Sequence, residues 1–360
     1  MNYVLAVSLA IASYGFGATD QVAQKIEPAQ EYLNSSWQRA QPWTAILPDV
    51  SGNPFGLAVL IDERGYFVAH TSSIVSEPIT AILSDGTKVR LGRIGFDSAT
   101  ELVLFGAQNW TAEGRALATI GSSSDMENAV TLATVTGPKA GVISSRDRAG
   151  VMQNSQRYMR LQEIQMEREN FPVGGALVLS KSGDLIGILG ATLSPLKSGI
   201  AVDQNRANMN LERQFGPQGL LVGYALGPKT LQRVFDGFRS DSHKVGHPTI
   251  GVQFRSNPTG EGVLIDDVAK QSPADKAGIL FGDVIIKADN REVKTPVDFA
   301  TILFDMNPGE DLLLEYKRGP LTLKTSVLVG SSNLTEADLD INPIETTSAP
   351  TSVKKLRSIR

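Results

Sequence analysis

The chain has 360 residues, 41% hydrophobic and 20% charged, with 34 basic and 38 acidic side chains giving a net charge of −4. That length suggests two domains or a little more, each with a sizeable core, and the absent basic excess argues against a nucleic-acid binder. Zero cysteines exclude a disulfide framework, thiol catalysis and cysteine-ligated metals, and three histidines leave little for a metal site, so no metal and no cofactor is expected.

Residues 4–12 are a short apolar run followed by Ser13, Tyr14, Gly15, Phe16, Gly17 and Ala18. This suits a signal peptide over 1–18 and is too short to cross a bilayer. Ser13 with Gly15, or Gly15 with Gly17, would satisfy the small-residue cleavage rule. No Lys or Arg precedes the run, and the competing reading is an apolar core segment. Export to a bacterial periplasm or envelope is the expectation, with 19–42 as an N-terminal segment.

From about residue 43 to 135, short apolar runs alternate with turn residues. Leu57-Ala58-Val59-Leu60-Ile61 and Tyr66-Phe67-Val68-Ala69 flank Asp62-Glu63-Arg64-Gly65, and Ser84-Asp85-Gly86-Thr87 follows another run. Repeated hairpin signals at this spacing predict a β-barrel or sandwich, and the pattern continues to about residue 189. Helical spacing returns at 230–238 after Gly227-Pro228, and 240–247 reads as a polar linker. Residues 248–330 form a smaller mixed unit. Ser272-Pro273-Ala274-Asp275 and Thr295-Pro296-Val297-Asp298 each place an N-cap, a proline and an acid at a helix start. The second helix presents Phe299, Ile302 and Leu303, and two strands follow at 312–316 and 321–329. From Ser331 the composition turns to Ser, Thr, Asn, Asp and Pro, which predicts a disordered tail over 331–360.

The order of these segments resembles the HtrA/Deg family, in which a trypsin-like double β-barrel is followed by a smaller α+β PDZ domain. The likeness spans roughly 55–330. It rests on the opening at 57–66, on Gly95-Phe96-Asp97-Ser98-Ala99-Thr100-Glu101-Leu102-Val103, on Gly174-Gly175-Ala176-Leu177-Val178, and on Gly223-Tyr224-Ala225-Leu226-Gly227-Pro228. Its most specific part is Ser272-Pro273-Ala274-Asp275-Lys276-Ala277-Gly278 with Phe281-Gly282-Asp283-Val284-Ile285. The resemblance implies a mainly β fold, with the double barrel over 43–240 and the PDZ domain over 248–330.

Serine hydrolysis needs a hydroxyl, a histidine base and an orienting carboxylate. Carried onto this chain, the histidine position holds Ser72 or Ser73, depending on the anchor chosen. The aspartate position holds Glu101, and the nucleophile position holds Val173 within Phe171-Pro172-Val173-Gly174-Gly175. Neither serine is a base near neutral pH, Val173 has no lone pair, and Pro172 removes a backbone N–H where an oxyanion would be held. His70 lies two or three positions from the base position and is expected to be a structural histidine. A working endopeptidase using His70, Glu101 and Ser144, Ser145 or Ser155 is the alternative.

The PDZ resemblance implies a peptide added as a strand, its terminal carboxylate held by amides of Ile250-Gly251-Val252, alongside Gln253 and Phe254 and facing the helix over 296–305. The expected partners are peptides or protein C-termini, unfolded proteins or an active protease homologue, with a homo-oligomer as a further expectation. The sequence therefore reads as a non-catalytic HtrA-like homologue.

Overall fold

The computed structural model describes residues 26–122, 127–151, 158–167, 175–190, 220–260 and 262–333. The expected signal peptide over 1–18, Ser155, Val173 and the tail beyond 333 lie outside the described residues.

The first helix, α1 (Ile26–Ala40), was not legible in the sequence. Its inward face is narrow, with Leu33, Ser36 and Ala40 buried and Trp37 packed against the core. It precedes the first barrel in the chain but docks on the second. Tyr32 donates to the Ala129 carbonyl (3.1 Å), Ser36 shares a 2.7 Å hydrogen bond with Thr131, and Arg39 donates to the Lys181 carbonyl.

Six antiparallel strands then close the first barrel: β1 (Thr44–Pro48), β2 (Pro54–Asp62), β3 (Tyr66–His70), β4 (Ile79–Leu83), β5 (Lys88–Asp97) and β6 (Leu102–Ala107), in the order β1-β2-β3-β6-β5-β4. The turn glycines Gly65 (φ +82) and Gly86 (φ +83) sit where the sequence placed hairpins. A second barrel follows: β7 (Ala129–Thr134), β8 (Gly137–Val151), β9 (Tyr158–Glu167), β10 (Leu177–Leu179), β11 (Leu185–Gly190) and β12 (Leu220–Leu226), in the order β10-β11-β12-β9-β8-β7. Phe67, Leu60, Leu91, Leu104 and Phe105 are fully buried in the first barrel, and Leu132, Ile164 and Val178 in the second. The fold class is the expected one, mainly β with a trypsin-like double barrel.

Helix α2 (Pro228–Arg239) leaves β12 through Gly227 and Pro228, and buries Leu231, Val234, Phe235 and Phe238. Two expectations change beyond it. Residues 246–249, half of which had been assigned to a linker, form strand β13 (Gly246–Thr249), and 331–333, expected to begin the disordered tail, complete strand β20 (Gly330–Asn333). The two pair antiparallel, His247 opposite Ser332. Strand pairing uses backbone groups, so a polar run such as Ser331-Ser332-Asn333 can supply it without an apolar signature.

Between them lies a sheet ordered β14 (Val252–Ser256), β15 (Val263–Val268), β16 (Val284–Ala288), β18 (Asp311–Arg318), β19 (Leu321–Leu328), with β17 (Arg291–Glu292) paired to β16. Helices α3 (Pro273–Lys276) and α4 (Pro296–Asp305) start as the sequence predicted. Ser272 caps α3 by accepting from Asp275 N–H, and Thr295 with Asp298 forms a full capping box on α4. Ile250, Ile265, Ile285, Phe299, Leu312 and Leu314 make the separate core of this unit. Buried Asp283 accepts two 2.8 Å bonds from Arg318, which fixes the loop after α3 to the β18–β19 turn.

Candidate functional site

The family likeness singles out two places: the degenerate triad positions between the barrels, where no catalysis was expected, and the edge of the PDZ sheet, where peptide binding was.

At the cleft, His70 ends β3 and caps the short 3-10 turn Thr71–Ser73, its Nδ1 accepting the Ser72 backbone N–H at 3.2 Å. Ser72 Oγ lies 2.7 Å from the same nitrogen. With Nδ1 accepting, the proton of neutral His70 sits on Nε2. Among the described residues Nε2 is buried without a hydrogen-bond partner, 3.8 Å from Glu101 Oε2, too far for a hydrogen bond. Burial pushes the His70 imidazole down to about 4, so it is neutral at pH 7.

Glu101 is buried, adopts a left-handed backbone (φ +57), and its carbonyl accepts Thr71 N–H at 3.0 Å. Its carboxylate lies 3.5 Å from the Thr71 hydroxyl. Ser73 is buried and its hydroxyl has no hydrogen-bond partner among the described residues. Gly175, two residues after Val173, donates its N–H to Ser72 Oγ at 3.2 Å. A Cβ on Gly175 would fall 2.7 Å from Ser73 Oγ and 2.9 Å from His70 Cβ, so the bare Gly175 backbone packs directly on these two side chains where the barrels meet.

The structure thus brings together His70, Ser72, Ser73 and Glu101, but as a cap, its hydrogen bonds and a packed turn. Of the other serines considered, Ser155 lies outside the described residues, and Ser144 and Ser145 are used elsewhere. Ser144 donates to Glu163 Oε1 at 2.8 Å, and Ser145 Oγ accepts Asp147 N–H at 3.3 Å; neither bonds to His70.

The PDZ edge is built differently. β14 lies at the end of the strand order, so among the described residues its outer backbone groups face no strand. Val252 and Phe254 are half-buried on one side and Gln253 is exposed on the other, the alternation of an edge strand. Phe254 packs edge-on against Phe299 of α4, ring centres 5.1 Å apart, which joins the two walls of the groove. Ile250 is 1% exposed and serves the core, so its share in the loop is backbone only. Gly251 has φ +75, and a Cβ there would lie 2.4 Å from Ser272 Cβ. Only glycine fits. The loop carbonyls are also tied down, Ile250 O by Ala274 N–H and Gly251 O by Ala269 N–H, both at 2.9 Å.

A third feature links the two places and was missed by the sequence reading. His247 Nε2 lies 2.6 Å from Asp97 Oδ1, with both side chains buried, and Thr100 donates to Asp97 Oδ2 at 2.5 Å. Burial would raise the Asp97 carboxyl; His247, Thr100 and the Ala99 N–H outweigh it and hold it below the ordinary aspartate value. His247 stacks on Phe304 of α4 with centroids 5.5 Å apart, and Phe304 belongs to the barrel cluster. Arg233 of α2 donates to the Phe304 and Met306 carbonyls, and Arg160 of β9 meets Asp305 at 2.8 Å. The groove helix is therefore fastened at its C-terminal end to the barrels. Asp97 and His247 lie 150 residues apart, and nothing local in the sequence signals their meeting.

Residues 248–329 match the family model described as PDZ domain. Over 297 residues the chain is 26% identical to the serine endoprotease DegS of Haemophilus influenzae, covering 77% of each. It is 24% identical over 299 residues to a Rickettsia prowazekii protein named probable periplasmic serine endoprotease DegP-like, of which it spans about half, 54%. The fold matches the solved HtrA-type protease AlgW with decapeptide at a TM-score of 0.56 and 22% identity, covering 84% of this chain and 99% of that one. Among the described residues no cluster suited to a metal ion occurs, and no helix is long and apolar enough to cross a membrane. A double barrel followed by a PDZ domain thus makes the chain similar, over some three quarters of its length, to serine endoproteases of the DegS and DegP-like kind, and in fold to an HtrA-type protease.

Proposed function

We propose that this chain is a non-cleaving HtrA homologue that holds extended peptide at the β14 edge. It would act as a chaperone-like, regulatory or scaffolding protein of the bacterial envelope. The observation that carries this reading is the contrast at the two sites. His70 Nδ1 is taken up by the Ser72 N–H and Val173 stands where the family has its serine, whereas β14 keeps a free edge beside Gly251. Strand addition at such an edge gives main-chain hydrogen bonds for affinity and alternate side-chain contacts for selectivity. Val252 and Phe254 on that edge favour apolar ligand side chains at every second position. Binding of a decapeptide by AlgW and the periplasmic naming of a relative agree with peptide binding and with export through residues 1–18.

A second reading has one observation behind it. Ser72 Oγ is 2.7 Å from His70 Nδ1, with Glu101 beyond, a serine–histidine–carboxylate sequence in the reverse ring sense. Both readings are tested by a fluorophosphonate label and an unfolded protein substrate. No label and no cleavage, together with binding of an apolar peptide that Gly251→Trp abolishes, supports the first. Label mapped to Ser72, with cleavage lost in Ser72→Ala, overturns it.

A further inference from the structure

We infer that the groove takes an internal extended segment as readily as a chain terminus, because Thr249 already occupies an amide that a terminal carboxylate would use. The inference rests on the peptide-binding reading above. The cradle expected from the family likeness consists of the backbone N–H groups of Ile250, Gly251 and Val252. In the structure the middle one is engaged, since Gly251 N–H donates to Thr249 Oγ1 at 3.2 Å. Thr249 is held in place because its strand pairs with Gly330 of β20. The loop itself is fixed by the two carbonyl bonds from Ala274 and Ala269 and by the packing of Ser272 on Gly251. A carboxylate arriving here must displace the hydroxyl or accept one donor fewer, and hydrogen bonds to a charged acceptor are the strong ones. The exposed Lys270 does not replace that donor, because a solvated ion pair adds little.

The edge of β14 does not share this defect. Its five residues offer main-chain groups that pair with any extended segment, whether or not that segment ends there. The loss falls on the terminus alone.

The test uses the full chain and three fluorescein-labelled peptides ending in Thr-Val-Thr-Phe-Val. One carries a free carboxylate, one a C-terminal amide, and one continues into Gly-Ser-Gly-Ser. For the natural chain the three affinities should agree within about threefold, as expected when the charge brings no extra donor. Thr249→Val keeps the β-branched shape and frees the Gly251 amide, so the free acid should gain about tenfold over the amide. Thr249→Ser keeps the hydroxyl and should behave as the natural chain. Thermal melts of both variants control for folding. A natural chain that binds the free acid tenfold or more over the other two overturns the inference. So does a folded Thr249→Val variant whose ratio is unchanged. Failure of all three peptides to bind the natural chain and both variants overturns instead the peptide-binding reading on which it rests.

Discussion

Gly251 and Gly175 both make backbone approaches that no side chain could share, yet their surroundings differ. At Gly251 the close neighbour is Ser272 of the same domain, and the strand that follows is an exposed edge. At Gly175 the close neighbours are Ser73 and His70 across the junction of two barrels, and they are buried. The same tight glycine precedes an open strand edge in one region and lies in a packed seam in the other. A family motif therefore marks a backbone geometry first. Whether it also marks chemistry depends on which side chains remain around it and whether they reach solvent.

The sharpest way to break this contrast is Gly251→Trp. The left-handed φ and the 2.4 Å approach to Ser272 leave no room, so peptide affinity measured by fluorescence polarisation should fall more than about a hundredfold. The barrel's response to the same change should be small. Next in size is His247→Ala, which strands a buried Asp97 and should lower unfolding stability by about 3–5 kcal/mol in denaturant titration. Pairing it with Asp97→Ala should recover part of that loss, which a double-mutant cycle would read directly.

The buried His70 gives a pH test of the seam. Its folded value of about 4 lies below the ordinary 6.5, so the unfolded chain takes up a proton that the folded one refuses. Stability from this group is complete above pH 6.5 and is lost as the pH falls toward 4, by about 3 kcal/mol in all. His70→Gln should remove that part of the slope between pH 7 and 4.5. Thr295→Ala removes one half of the α4 capping box and should cost about 1 kcal/mol. The smallest expected effect is on activity. Val173→Ser alone should leave proteolysis at background, because His70 Nδ1 is already occupied and the family's base position holds a hydroxyl.

Much of the fold was legible because its signals are local. The turn at 62–65, the caps at Ser272 and Thr295, and the proline start of α2 each specify a backbone conformation within a few residues. Helix α1 escaped because few of its residues face inward, and β20 because it is polar and paired through its backbone. At the site, Gly251 and the β14 alternation could be read in advance. The left-handed Glu101, the capping role of His70 and the Thr249–Gly251 bond depend on how turns are packed, and so they appear only in three dimensions.

The fastening of α4 and β13 to the barrels has a mechanical consequence. With His247 bonded to Asp97 and Arg160 to Asp305, the groove sits on a braced arm and not on a swinging tether. A client lodged along β14 would extend from a fixed point in a fixed direction. Any second contact it makes with the barrels then occurs at a local concentration set by that span, which lengthening or shortening the client would tune without touching the groove.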